Sequence, residues 1–162
     1  MKPRELVLFI DNQNVYKSAR EAFFLSLDHH WFGKISPMEL AKLICDKTRG
    51  NATLKEVRVY SGRPDSIKES STYTAHMKQC NAWAQMGATL IMRPLRYPRD
   101  WPNSKAQQKG VDVALAVDFV TMAVNKKYNI GVIASTDTDL KSALEFAYKN
   151  IRAKLMLQLL HG

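Results

Sequence analysis

Apolar positions along the chain fall into short continuous runs, separated by longer stretches where they recur every three or four residues. The runs are LVLFI (6–10), VRVY (57–60), ATLIM (88–92), IGVIA (130–134) and AKLMLQLL (153–160). They are aliphatic or β-branched and mostly unbroken, the pattern of strands buried on both faces of a parallel sheet. Between them the spacing predicts helices. Val15, Ala19, Ala22 and Phe23 mark one face of a helix over 14–27. Ser36-Pro37-Met38-Glu39 opens the next with a capping box and a proline at its first position. A third spans 67–86 and is closed by Gly87, and the last two cover 110–125 and 138–150. Strands alternating with helices of this length imply right-handed crossovers, a parallel sheet covered on both sides, and a ligand site beyond the carboxyl ends of the strands.

Carboxylates sit at those ends. The first run stops at Asp11, within LVLFIDNQNVY, and the fourth leaves through Ser135 and Thr136 to Asp137 and Asp139. The helix KGVDVALAVDFV carries Asp112 in its first turn and Asp118 in an otherwise apolar body. If the two strands are neighbours, Asp11, Asp112 and Asp137 converge. Clustered carboxylates repel and raise one another's pKa unless a divalent cation supplies positive charge, and oxygen donors suit Mg2+ or Mn2+. Each acid also has an ordinary structural role. Asp112 and Asp139 suit the first turn of a helix, Asp137 an N-cap, and Asp11 and Asn14 the start of the first helix. Asp118 lies six residues beyond Asp112, about 120° around the helix, so it contacts the site from behind or anchors a buried network.

Charge adds a partner. Lys and Arg outnumber Asp and Glu by 24 to 15, giving +9 and the footprint of a polyanion binder. Much of the excess is local, in RPLRYPRDWPNSKAQQK (93–109). Arg93, Arg96, Arg99, Lys105 and Lys109 could neutralise phosphates, and Tyr97 and Trp101 could stack unpaired bases. The alternative is a solvated loop with Trp101 packed on the body. Arg63, just after the second strand, is a further candidate for contacting phosphate. Cys45 and Cys80 lack metal-ligand spacing and read as reduced, half-buried thiols. His29, His30, His76 and His161 suggest no acid or base catalyst. No run reaches the roughly 20 residues of a membrane span, and nothing resembles a signal sequence, so a single cytoplasmic domain over 1–162 is expected. The sheet edge near 155–160 is a candidate for pairing in a homodimer.

FIDNQNVY, KGVDVALAVDF and ASTDTDL resemble, in order and spacing, the motifs of the NYN domains of the PIN-like nuclease superfamily, most closely the bacterial stand-alone type. The resemblance implies a Rossmann-like three-layer α/β/α sandwich with a parallel sheet of about five strands in the order 3-2-1-4-5. It also implies a metal-dependent ribonuclease. Asp11 corresponds to the metal ligand of the first strand and Asn14 to its polar companion. Asp112 matches the acid at the start of the central helix, and Asp137 and Asp139 match the acids of the third motif, with Ser135 the hydroxyl before them. Relatives commonly read Ser-Gly-Asp-Ser-Asp-Phe there; Thr136 and Leu140 replace the glycine and phenylalanine, and no carboxylate is lost. Single-stranded RNA is the implied substrate, on the family's account alone. An RNA-binding or regulatory module is the alternative, and a small-molecule phosphohydrolase a second, disfavoured by the missing Asp-x-Asp start. The absence of glycine after the first strand argues against a dinucleotide site.

Overall fold

The run LVLFI becomes the centre of strand β1 (Arg4–Asp11), and its successive side chains feed two separate cores. Leu6, Leu8 and Ile10 face one side, with Val15, Ala41, Ile44, Val57, Val59 and Trp83. Val7 and Phe9 face the other, with Val111, Leu115, Phe119, Tyr128 and Leu144. Both faces are covered, which is why the run is continuously apolar. The computed structural model describes residues 2–23, 33–151 and 154–157.

From β1 the chain passes through α1 (Asn12–Phe23) and α2 (Pro37–Lys47) to β2 (Ala52–Arg63), then α3 (Ser70–Gln85) and β3 (Thr89–Pro94). Helix α4 (Val111–Val124) leads to β4 (Ile130–Ala134), and α5 (Lys141–Ile151) to β5 (Lys154–Leu157). All neighbouring strands pair in parallel, in the order β3-β2-β1-β4-β5. The expected sandwich is therefore present. Helices α1, α2 and α3 supply one layer, and α4 and α5 the other. Strand order reverses at β1, so a crevice opens between the carboxyl ends of β1 and β4.

Boundaries differ from the sequence reading in instructive ways. Helix α1 starts at Asn12, directly after the strand, and its expected end at Leu27 lies outside the described residues. Strand β2 extends over twelve residues rather than VRVY alone. Its first half alternates half-buried and exposed positions, because only Ala52 and Leu54 pack inward while Lys55 reaches Glu5 at 2.7 Å across the sheet. Helix α3 begins three residues late. The Asp65 carboxylate accepts the amides of Ile67 and Lys68, both at 2.9 Å, and holds them in a turn. Ser36 caps α2 as expected, its hydroxyl accepting the Glu39 amide at 3.4 Å. The run 153–160 is described only as β5, so half of the edge considered for a dimer, 158–160, lies outside the described residues. Among the described residues no helix is long and apolar enough to cross a membrane.

Phe9 locks the α4 layer. Its ring meets Phe119 edge-on at 5.1 Å and Tyr128 at 5.8 Å. Gly131 makes that contact possible, since a Cβ there would lie 2.6 Å from Tyr128 and 2.7 Å from Phe119. This packing seats the first turn of α4 beside the end of β1.

Candidate functional site

Alternation along β1 aims Asp11 at the same layer as Val7 and Phe9, the layer that α4 opens with Asp112. Pairing of Ile10 with Ala134 brings the exit of β4 alongside, and with it Asp137. Asp11, Asp112 and Asp137 consequently line one cleft of about 250 Å³, together with Gln13, Asn14, Lys17 and Gln108. Asp11 is buried, 6% exposed, and its Oδ1 accepts the Asn14 amide at 3.1 Å. Burial pushes its carboxyl above the ordinary range against the pull of that amide, and the charges of Asp137 and Asp112 push it further up. No ion pair among the described residues neutralises any of these three acids.

Neighbouring side chains fix the walls. Asn14 Oδ1 accepts the Thr136 amide at 2.7 Å and its hydroxyl at 2.9 Å, tying α1 to the loop after β4. Thr136 Oγ1 also lies 3.2 Å from Ser18 Oγ, so the side chain that replaces the family's glycine is turned into α1 and is not part of the cleft lining. Buried Ser135 accepts the Asp137 amide at 3.1 Å. Asp137 in turn accepts the Asp139 amide at 2.9 Å, capping the 3-10 turn 138–140. Its structural role and its place in the cleft therefore coexist.

Two of the acids lie elsewhere. Asp139 is exposed and outside the cleft lining. Asp118 accepts Arg58 Nη2 and the Tyr60 hydroxyl, each at 2.9 Å, while Arg58 Nη1 reaches Glu56 at 2.6 Å. That network rivets α4 to the middle of β2, the second of the two roles the sequence left open for Asp118. The cause is the 120° turn between positions 112 and 118.

The three acids meet in the cleft without forming a ready ligand cage. Among the described residues no group of three His, Cys, Asp or Glu side chains is placed to hold one ion directly. Their chemistry still fits Mg2+ or Mn2+: hard oxygen donors, one of them desolvated, uncompensated by any ion pair among the described residues. Magnesium in particular is held by one or two carboxylates and keeps several waters.

The basic loop is pinned at its base, where Arg96 and Gln107 exchange backbone hydrogen bonds of 2.8 and 2.9 Å. Gln108 then accepts the Gly62 amide at 3.1 Å. Tyr97 does not stand open for a base. Its hydroxyl takes the Asp65 amide at 2.8 Å and donates to Glu69, Lys68 lies 4.7 Å above its ring, and Trp101 packs edge-on at 4.9 Å. The aromatics thus pack on the body and on each other. Arg63, Arg93, Arg96, Arg99, Lys105 and Lys109 are all exposed and form no ion pair among the described residues. His76 lies beside Cys80, with Nε2 3.5 Å from Sγ, whereas His29, His30 and His161 fall outside the described residues. Sequence reasoning missed Gln13, Lys17 and Gln108 as cleft residues. Lys17 stands three positions after Asn14, a spacing that puts both on one helix face and could have found it.

Comparison with known proteins agrees with this fold. No curated protein sequence matches the chain. A solved structure of a Vibrio parahaemolyticus protein of unknown function is similar in fold, with a TM-score of 0.61 at 16% identity over 97% of this chain and 83% of that one. The NYN domain matches residues 5–156, nearly the whole sequence, and the chain therefore belongs to the NYN family of the PIN-like nuclease superfamily.

Proposed function

We propose that the acidic cleft is the active site of a ribonuclease that cleaves single-stranded RNA with a divalent cation, Mg2+ or Mn2+. The observation that carries this reading is the arrival of Asp11, Asp112 and Asp137, from three separate elements, in one cleft at the point where strand order reverses. Asp11 and one or both of the other acids would hold the ion. When bound, it supplies positive charge at a phosphoryl oxygen and a more acidic water. The chain's own residues do the rest. Burial leaves the Asp11 carboxylate poorly hydrated, its Oδ1 stays oriented by the Asn14 amide, and Lys17 lines the wall where a phosphate would lie. Ser135 and Asn14 hold Asp137 in place through the loop after β4. Exposed Arg93, Arg96 and Arg99 attract the backbone from outside the cleft.

Incubation of the purified chain with single-stranded RNA and Mg2+ or Mn2+ tests the proposal. Cleavage that chelation stops and Asp11→Asn lowers at least about a hundredfold, with RNA binding retained, is the expected result. Equal traces in both proteins overturn it. The absence of a preformed three-ligand group among the described residues favours a second reading, RNA binding without turnover, for which metal would change neither product nor affinity.

A further inference from the structure

A second cavity, of about 360 Å³, opens beside the acidic cleft and shares two of its walls, Gln13 and Gln108. It lies over the carboxyl ends of β1 and β2, between α1 and α3, and its size falls within the roughly 300–1,000 Å³ of small-ligand sites. Its chemistry is the opposite of its neighbour's. Among the described residues no carboxylate lines it; Ile35, Trp83 and Leu95 make apolar walls, Lys34 contributes a cation, and four carboxamides, Asn12, Gln13, Gln79 and Gln108, are set among them. Two of these are already oriented. Asn12 Nδ2 donates to Ser61 Oγ at 3.4 Å, which leaves its oxygen as an acceptor, and Gln108 Oε1 takes the Gly62 amide, which leaves its amino group as a donor. Burial, then the charge of Arg63, lowers the pKa of His76 in the same wall, so the imidazole is neutral near physiological pH.

An apolar slot whose lining combines oriented carboxamide donors and acceptors with the cation of Lys34 suits a flat, hydrogen-bonding ring carried on a polyanion, and the walls it shares with the acids put that ring next to a phosphate. We propose that this cavity receives the nucleobase adjoining the phosphate held at the acidic cleft. The assignment rests on the nuclease reading of that cleft and adds to it the part that recognises a base. Bases splayed from a single strand are read in this way, by their edges and faces together. Tyr97 and Trp101 are then free of that duty, in keeping with their packing against each other and the body.

Trp83 lines the cavity at 7% exposure and is its own reporter. In a chain carrying Trp31→Phe and Trp101→Phe, Trp83 is the remaining indole. Titration of that protein with each nucleoside 5′-monophosphate should quench its emission saturably for at least one base, whereas ribose 5-phosphate should not. Adding Gln79→Leu, which keeps the volume and removes a donor and an acceptor, should raise the half-saturation concentration about fivefold with the circular dichroism spectrum unchanged. Equal responses to nucleotide and ribose 5-phosphate, or an unmoved half-saturation in the Gln79→Leu protein, overturn the assignment. The two readings fail separately. Quenching that persists in a chain unable to cut RNA keeps the base pocket and retires the nuclease, while metal-dependent cleavage without base-dependent quenching retires the pocket alone.

Discussion

Asn14→Ala removes one acceptor that two donors share. Asn14 Oδ1 takes both the amide and the hydroxyl of Thr136, and it is the link between α1 and the loop that carries Asp137. After truncation the hydroxyl can turn to Ser18, 3.2 Å away, but the amide is left to water. Thr136 is half-buried, so that amide is partly rehydrated and the loss is about 1–2 kcal/mol rather than the full cost of a sealed donor. A urea titration should show the lower midpoint at an unchanged slope. The local effect is larger than the global one. Asp137 follows Thr136 directly, and on the proposed reading, in which Asp137 helps hold the ion, removing a residue that orients it should lower metal affinity about 10–100-fold, the typical effect of losing such a partner. Calorimetric titration with Mn2+ reads this, and Asn14→Asp separates geometry from charge. Its carboxylate accepts both bonds and adds a negative charge to the cleft, so Mn2+ affinity should return to at least the wild-type value. Unchanged stability and affinity in Asn14→Ala, or an Asn14→Asp protein as weak as Asn14→Ala, would refute the positioning argument.

Asp11→Asn should stabilise the metal-free chain at pH 7. Burial, with the Asp137 and Asp112 charges behind it, raises the folded carboxyl above its unfolded value, so its favourable contribution is complete at low pH and is lost as pH rises through the folded pKa. The gap between variant and wild type, followed by thermal melting without metal, should close as pH falls toward about 4; a variant that melts lower at pH 7 contradicts the sign. Asp118→Ala should cost about 1–2 kcal/mol in denaturant by leaving Arg58 and Tyr60 short of a partner, a modest figure because Asp118 is 35% exposed, and should leave the cleavage rate unchanged. A matching fall in rate would return Asp118 to the site. Arg99→Ala should weaken RNA binding without altering base preference and reduce the salt slope by about 0.7, the increment of one phosphate contact on a single strand. An unchanged slope would place Arg99 outside the RNA path.

The fold was legible where burial is two-sided. LVLFI and IGVIA are continuous because each is covered by helices from above and below, and β1 and β4 occupy those positions. Strand β2 was read short for the same reason inverted: its first half is covered on one side only and alternates, so continuity was the wrong signal there. The capping box at Ser36 was readable because its partners are close in sequence. The turn at Asp65 was missed although it too is local, because Ile67, 90% exposed, looks like the first apolar residue of a helix and is in fact held in a turn by Asp65.

The site divides along a different line. Which acids share a cleft follows from parity and order: Asp11 has the side-chain phase of Val7 and Phe9, α4 covers that face, and β4 is the neighbour that delivers Asp137. The parity and the helical spacing are written in periods of two and 3.6, which a sequence displays, whereas the adjacency of β1 and β4 came only from the family resemblance and is seen in the folded sheet. What surrounds the acids is not written that way. Gln108 reaches both cavities from a loop with no period, through a hydrogen bond to Gly62, forty-six residues away. Gly62 allows that approach because a Cβ there would lie 3.0 Å from Gln108 Oε1 and 2.5 Å from Leu95. The basic loop was judged by its charges and aromatics, yet the aromatics turn inward while a carboxamide at its far end lines both cavities. Charge announces where a polyanion approaches; the neutral side chains that select what enters leave no such trace in composition, and only the folded backbone brings them together.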